Sequence, residues 1–576
     1  MWCNTMSSLI GHPVQALVVA SLLTISIFLF TKLVEKRHKQ FAHLPQLPTS
    51  LLWGHLQLFA RYTKHGAQDR HPDAIIAEMH KDLGSPPIFL VDLRPISYPM
   101  AVVADHTVAE QISRPSKDFQ YSVPKSPPNP SVGALIGPLS MLNHQNESWK
   151  AIRRRFNPGF SPNHLMTLLP CIIDKSMLFV KRLDQHAEVG DVFRLTDLTT
   201  GLTFDIIGAV AMDVDLEAQK PESSRLGDFI RIFNELIQTH ANDNFHLPWW
   251  LTPFMYMTRR RLGKLITERL QAIVRAKFNE LKSSSPDAQS SRTILALSLQ
   301  DIDHLSPAVL DETCDQLKTF LFAGHDTTSV LIDWAVYELS RTPRALKAVQ
   351  AEVTTLLGPD SHDPGVVRAK LLSPGGEHII HQMAYISAVI RECLRLHPPA
   401  GTVRMTMPKS ESTCVVTTSR GDYCLDGAWI YLNHSLIHRD RAVFGDTGDE
   451  FWPERWLVQG GQINTGGSPT SDASVFTAAP GAFPQSAWRP FERGPRNCIG
   501  QELANIEARI AIAILANRYT FTKAGLGELD LDSRGWPEVG DNGQYKVKSE
   551  LYPTIQITAK PVDGMLMKVA LAQPAP

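Results

Sequence analysis

Phe491-Glu492-Arg493-Gly494-Pro495-Arg496-Asn497-Cys498-Ile499-Gly500 stands directly before an apolar repeat at helical spacing, Leu503, Ile506, Ile510 and Ile514. Gly494 and Gly500 flank the cysteine and permit a positive φ or a close approach of backbone to a flat ligand, while Pro495 stiffens the turn. A helix that opens just after Cys498 aims its amide end at the sulfur, which favours thiolate over thiol. Arg496, two residues earlier, can pair with an anionic ligand group. A cysteine at a helix start is, on its own, more often a packing residue than a ligand. The other six cysteines, Cys3, Cys171, Cys314, Cys393, Cys414 and Cys424, have no such surroundings and read as structural. With an odd total of 7 and no Cys-x-x-Cys pair, they make neither a disulfide framework nor a zinc ribbon. Sparse, unpaired thiols suit a reducing compartment.

Upstream, Ser306 and Pro307 have the chemistry of a helix cap and first turn. Apolar residues follow at Leu310, Leu317, Phe320, Leu321, Leu331, Ile332, Val336 and Leu339, and Pro343 stops the run beyond Arg341. The spacing predicts a helix of about 35 residues, roughly 50 Å long and apolar on most sides, hence buried. At its middle it is interrupted by Ala323-Gly324-His325-Asp326-Thr327-Thr328. An acid next to a hydroxyl can relay protons, and Gly324 would leave room beside the helix for a small ligand. A second predicted helix carries Ile386, Val389, Ile390, Cys393 and Leu394, and Pro398-Pro399 forbids its continuation. It places Glu392 and Arg395 on one face. Alternating runs at Tyr423 to Leu432 and Leu551 to Ile557 predict strands, and Gly460 to Gln485, rich in Gly, Ser, Thr, Ala and Pro, predicts a long surface loop.

The pattern Phe-x-x-Gly-x-Arg-x-Cys-x-Gly, which fixes five of ten positions, is the haem-ligand signature of the cytochrome P450 family, and the chain resembles that family over about residues 45 to 570. Ala323 to Thr328 is similar to its oxygen-activating motif. Glu392-x-x-Arg395 and the Pro453-Glu454-Arg455 segment after His438-Arg439-Asp440 follow in the family's order, as do Trp149-x-x-x-Arg153 and Arg404. The resemblance implies a mainly α fold with small β-sheets. It implies haem b held by the thiolate of Cys498 in a loop formed by Phe491, Gly494, Arg496 and Gly500, with Trp149, Arg153 and Arg404 also binding the cofactor, the two arginines at its propionates. Asp326 and Thr327 become the catalytic proton donors, and Glu392, Arg395 and Arg455 a structural lock. Arg441, where many relatives carry proline, and the long loop are the departures. Ala559 to Gly564 resembles the style of fungal members that decorate natural products.

Residues 14–30, VQALVVASLLTISIFLF, carry no charge, and the run extends to roughly 20 residues if Lys32 is crossed, enough for one membrane-spanning helix. Lys32, Lys36, Arg37 and Lys39 follow it while residues 1–13 hold no Lys or Arg, so the body is expected in the cytosol. A cleaved signal peptide would need the charges on the other side. The expected organisation is a lumenal segment 1–13, a transmembrane anchor 14–34, a basic, proline-containing hinge 35–50 and one haem domain over 51–576, in the endoplasmic reticulum membrane.

A net charge of -1 provides no global basic field, which argues against nucleic acid as a partner. By the resemblance, the chain inserts one oxygen atom from dioxygen into a lipophilic organic substrate. With no flavin- or nicotinamide-binding domain of its own, it is expected to draw electrons from NADPH-cytochrome P450 reductase. Lys150, Arg153, Arg154, Arg155 and Arg493 are candidates for the docking patch. Segments 118–145 and 235–260 match the family's variable substrate-facing regions, and the aromatic run 245–254 reads equally as a membrane-dipping or a packed loop. The rival readings are an isomerase or dehydratase on the same scaffold needing no external electrons, and a haem sensor.

Overall fold

The computed structural model describes residues 13–126, 133–221, 228–241, 251–283, 292–407, 412–459, 462–463, 477–478 and 483–572. Most of the loop expected at 460–485 and residues 245–250 of the aromatic run lie outside these. Of the run's remainder and its flank, Leu251, Phe254 and Met257 are exposed.

The architecture is mainly helical with small sheets. Helix α1 (Pro13–Val34) is solvent-accessible along its length and widens into a π-helical turn at Glu35–Lys39. Strands β1 (Ile88–Asp92) and β2 (Pro99–Val103) pair antiparallel and are buried throughout. Helices α2 (Asn146–Phe156) and α3 (Leu195–Met212) lead to α4 (Pro307–Arg341), which crosses the domain. The Ser306 hydroxyl accepts from the Val309 amide at 3.3 Å and Pro307 occupies the first turn, so the capping chemistry acts as its residue types dictate. Helix α5 (Ala384–Leu396) ends before the proline pair. Strands β3 (Thr402–Met405) and β4 (Trp429–Leu432) complete the sheet in the order β1-β2-β4-β3, with β2 and β4 parallel. After α6 (Gln501–Arg518) come β5 (Tyr519–Lys523), the hairpin β6 (Pro553–Gln556) and β7 (Thr558–Pro561), and β8 (Leu566–Leu571) paired with β5.

The strand expected over Tyr423 to Leu432 is two strands in two sheets. Gly421–Cys424 pairs with Val415–Thr418, whereas Trp429–Leu432 enters the main sheet. A turn at Leu425 to Ala428 separates them. Gly427 there takes φ +82°, and the Asp426 carboxylate accepts from the Cys414 amide at 2.9 Å.

Like α1, α3 is long and apolar enough to cross a membrane, but it is 78% buried and packs along α4 as a core helix. Thr196 and Thr199 of α3 donate to Asp333 of α4 at 2.6 and 2.8 Å, and Thr203 donates to the His325 carbonyl at 2.7 Å. Gly324 belongs to this seam: a Cβ there would lie 3.0 Å from Ile207 Cγ1 on α3. The glycine expected to make room for a ligand instead lets two core helices meet.

The segment expected as a hinge, 35–50, is packed on the domain. Arg37 is buried, and Phe41 and Leu44 join the core formed with β1 and β2. The expected lock is present in full. Glu392 accepts from Arg395 at 2.8 and 2.9 Å, from Arg455 at 3.0 Å, and from the Trp452 amide and the Trp456 indole at 2.9 Å each. Arg395 also donates to the carbonyls of His438, Gly448 and Glu450, tying α5 to the chain that leads into the cysteine loop.

Candidate active site

The cysteine loop is a tight turn closed by the Cys498 amide, which donates to the Phe491 carbonyl at 2.8 Å. Gly494 takes φ +73°, and a Cβ there would lie 2.1 Å from the Ser113 carbonyl oxygen, so both conformation and space demand glycine. Gly500 has an ordinary φ of -86° as the N-cap of α6; its Cβ position faces the sulfur at 3.9 Å. A Cβ there would make only an ordinary contact, so neither conformation nor the space beside Cys498 demands glycine. The amides of Gly500 and Gln501 donate to the sulfur and pull its pKa down, as does Arg153, but burial outweighs them and the thiol stays above its ordinary value. A positive counter-charge at the sulfur, such as a metal ion, would reverse that balance.

Cys498 lies deep in the fold, yet it is accessible to solvent. In the otherwise buried middle of α4, Ala323 is exposed and Thr327 partly so, one turn apart on one face. Accessibility at two separate points of a packed interior is what an internal pocket produces.

Around the sulfur the structure gathers cations. Arg404 is fully buried; its Nη1 donates to Ser122 Oγ at 3.1 Å and the Val123 carbonyl at 3.3 Å, while Nε and Nη2 have no hydrogen-bond partner. Arg496 donates to the His144 carbonyl at 2.8 Å and stacks on Trp149 at 4.7 Å. Burial, with repulsion from Arg404 and Arg153, lowers its pKa to about 9. Lys125 is pushed down to about 7 by burial first and then by Arg404. The acid in their midst, Glu492, is held at about 2: burial opposes ionisation, but Arg489, His434 and Arg404 prevail, and Arg489 bonds it directly. Lys125, Arg404 and Arg496 thus crowd together with one carboxylate, Glu492, among them. That arrangement fits a ligand carrying carboxylates of its own, as the porphyrin of haem does.

Arg153 is placed differently from the expectation. Its Nη1 and Nη2 donate to the Asn497 carbonyl and side chain at 2.8 and 3.2 Å and its Nε to Asn157 at 2.7 Å, so it braces the cysteine loop. Phe491 packs edge-on to Trp488 beneath that loop.

Asp326 and Thr327 are adjacent in sequence but face different ways. The Thr327 hydroxyl donates to the Ala323 carbonyl at 2.9 Å on the accessible face. Asp326 is 2% exposed and turned to β7, where Thr558 donates to one carboxylate oxygen and Lys560 Nζ lies 2.5 Å from the other. Lys560, Thr558 and Lys125 escaped the sequence reading because no local pattern links them to motifs hundreds of residues away.

Of the five cations suggested for partner docking, Arg155 pairs with Glu312 at 3.1 Å, Arg493 with Glu110 at 3.0 Å, and Arg153 is engaged as above. Lys150 and Arg154 stay exposed.

A mainly helical fold with an accessible cysteine in a tight loop beside a cluster of cations is the arrangement of a haem-thiolate protein. Residues 45–535 match the family model described as Cytochrome P450, and the chain belongs to that family. It is 29% identical over 517 residues to cytochrome P450 monooxygenase acrF of Aspergillus aculeatus, covering 87% of this chain and 98% of that one. To cytochrome P450 monooxygenase polC of Polytolypa hystricis it is 26% identical, covering 86% and 84%. The fold is shared with the crystal structure of the cytochrome P450DA heme domain, at a TM-score of 0.65 and 18% identity over 92% of this chain and 98% of that one. The protein is a cytochrome P450 monooxygenase, a family that uses haem iron with a cysteine thiolate ligand and a redox partner.

Proposed function

We propose that this monooxygenase inserts one oxygen atom from dioxygen into a lipophilic organic molecule in the biosynthesis of a natural product. Electrons come from NADPH-cytochrome P450 reductase, and α1 anchors the chain in the endoplasmic reticulum membrane with the domain in the cytosol. The observation that carries the reading is the accessible Cys498 sulfur beside the cluster of Lys125, Arg404 and Arg496, with Glu492 as the acid among them. The fungal relatives named above support the biosynthetic role.

Haem b, when bound, supplies the activation of dioxygen and the transfer of one oxygen atom to substrate. Cys498 would hold the iron through its sulfur, with the amides of Gly500 and Gln501 stabilising the thiolate. Arg404 and Arg496, with Lys125, would pair with the propionates, while Trp149 stacks under Arg496 and Arg153 keeps Asn497 and the loop in place. Gly494 and Phe491 shape the turn. The Thr327 hydroxyl, on the accessible face, gives its proton to the pocket by releasing its bond to the Ala323 carbonyl, and Asp326 supplies it from behind. To serve that face, the acid exchanges its contacts with Thr558 and Lys560 for the side of Thr327. Lys560 is 12% exposed and links the acid to the surface. The acid and alcohol together favour this reading over the isomerase, dehydratase and sensor alternatives.

The test is the absorption spectrum of the reduced, carbon monoxide-bound protein, wild type against Cys498→Ala. The red-shifted thiolate band is expected in wild type and absent in the variant. A wild type without that band overturns the assignment of the ligand, and substrate turnover without NADPH or dioxygen overturns the monooxygenase reaction.

A further inference from the structure

The chain between membrane and domain is a clamp. Beyond α1 the π-turn at Glu35–Lys39 runs straight into a turn in which the Leu44 amide donates to the Phe41 carbonyl at 3.0 Å, and both side chains are core residues. The Pro45 carbonyl then accepts from the Leu90 amide of β1 at 2.8 Å. No free stretch separates helix from sheet. Arg37 reaches into the domain: Nε donates to the Leu51 carbonyl at 2.9 Å, and Nη2 to the carbonyls of Leu52 and Arg94 at 2.9 and 3.2 Å. Nη1 lies 2.5 Å from Asp92 Oδ2, with both side chains at most 3% exposed. Arg94 closes the grip from the other side. It binds both oxygens of Asp92 at 2.9 and 2.7 Å and reaches back to the Lys36 carbonyl at 2.8 Å and Gln40 at 3.0 Å.

Neighbouring residues are fitted to this clamp. Gly54 stands at φ +53°, and a Cβ there would lie 2.5 Å from both Arg37 Nη1 and the Asp92 carbonyl oxygen. His55 accepts from the Asp92 amide at 2.7 Å through Nδ1 and meets the Leu47 carbonyl at 2.8 Å through Nε2. Burial opposes the charge on Asp92, but Arg94 and Arg37 hold its carboxyl below the ordinary value. A buried pair of this kind is costly to break from either side, so the clamp is closed in the folded state. Beside its acceptor carbonyls and beyond Arg94 stand Leu52, Trp53, Ile96 and Tyr98, 46 to 61% exposed. Apolar and aromatic residues left bare next to a membrane helix are suited to the lipid interface.

We propose that Arg37, Asp92 and Arg94 join the anchor and the catalytic domain into one rigid body, fixing the tilt at which the domain meets the bilayer and seating Leu52, Trp53, Ile96 and Tyr98 in its surface. This rests on the reading of α1 as a membrane anchor. The test compares full-length holoprotein with Arg37→Met and Asp92→Asn in phosphatidylcholine bilayers. Carbonate extraction reads membrane insertion, linear dichroism of the haem band in oriented bilayers reads tilt, and hydrogen exchange reads residues 40–55. Both variants are expected to resist extraction and keep the carbon monoxide spectrum of wild type. Their dichroism should fall towards that of a randomly tilted domain, and exchange in 40–55 should rise about tenfold or more. Dichroism and exchange unchanged in Arg37→Met overturn the clamp. Wild type released by carbonate overturns the anchor and the clamp with it.

Discussion

Replacing Glu392 by Gln changes one oxygen to an amide nitrogen at nearly constant volume, and the structure sets what that costs. The two carboxylate oxygens accept five N–H groups, from Arg395 twice, Arg455, Trp452 and Trp456. Whichever oxygen becomes NH₂ leaves at least two donors facing another donor, and two buried guanidiniums lose their counter-charge. Removing one partner of a buried pair costs about 3–5 kcal/mol, and a stranded donor about 1–3 kcal/mol; because the terms overlap, the expected loss is about 4 kcal/mol. Against a typical total of about 5–15 kcal/mol this is a large fraction. The assay is urea unfolding followed by the far-ultraviolet helix signal at pH 7 and at lower pH. Burial alone would raise the pKa of Glu392, but Arg395 and Arg455 hold it below the ordinary 4.5. Its stabilisation is therefore complete above pH 4.5 and disappears as pH falls through the lower folded value, so the gap between wild type and variant closes only in acid. A loss under about 1 kcal/mol at pH 7, or a gap that stays constant down to pH 3, refutes the lock as the source of this stability.

Two further outcomes follow from α4. Asp333 is buried, and burial raises its pKa to about 7 against the pull of Thr196, Thr199 and Lys560. As an acid with a raised folded pKa, it costs the wild type stability as pH rises from its ordinary 3.8 to about 7, so Asp333→Asn should gain on wild type in melting temperature across that range and hold a constant advantage above about pH 7; equal pH profiles contradict this. Gly324→Ala drives a methyl into Ile207 on α3, so it should lower the melting temperature by several degrees, as overpacking by about 1–3 kcal/mol does, and Ile207→Val alongside it should restore part of the loss. A stable Gly324→Ala protein with changed ligand binding alone would place the glycine at the pocket instead.

The motifs legible along the chain were those whose chemistry is local. The turn at Gly494, the cap at Ser306 and the stop at Pro398 act within a few residues, and the structure places each at the expected end of its element. Glu392 and Arg395 were legible for the same reason, since three residues along a helix put two side chains on one face. Cys498 could be singled out from seven cysteines because its neighbours in sequence are also its neighbours in space.

Tertiary structure alone decided where long side chains spend their charge. Nothing in the sequence around Asp326 indicates that Lys560 and Thr558 hold it, because strand β7 returns to α4 more than 230 residues later. Lys125, Arg404 and Arg496 become one cluster only when three distant segments close on the same pocket, while Arg153 bonds Asn497 and Asn157. Gly324 looks like a space for a ligand until α3 is packed against it. Arg37 reads as one more charge after a membrane helix until Asp92 draws it into the core. Backbone preference and helix faces are properties of neighbouring residues, whereas the partner of a buried charge is settled by whichever segments the fold brings together.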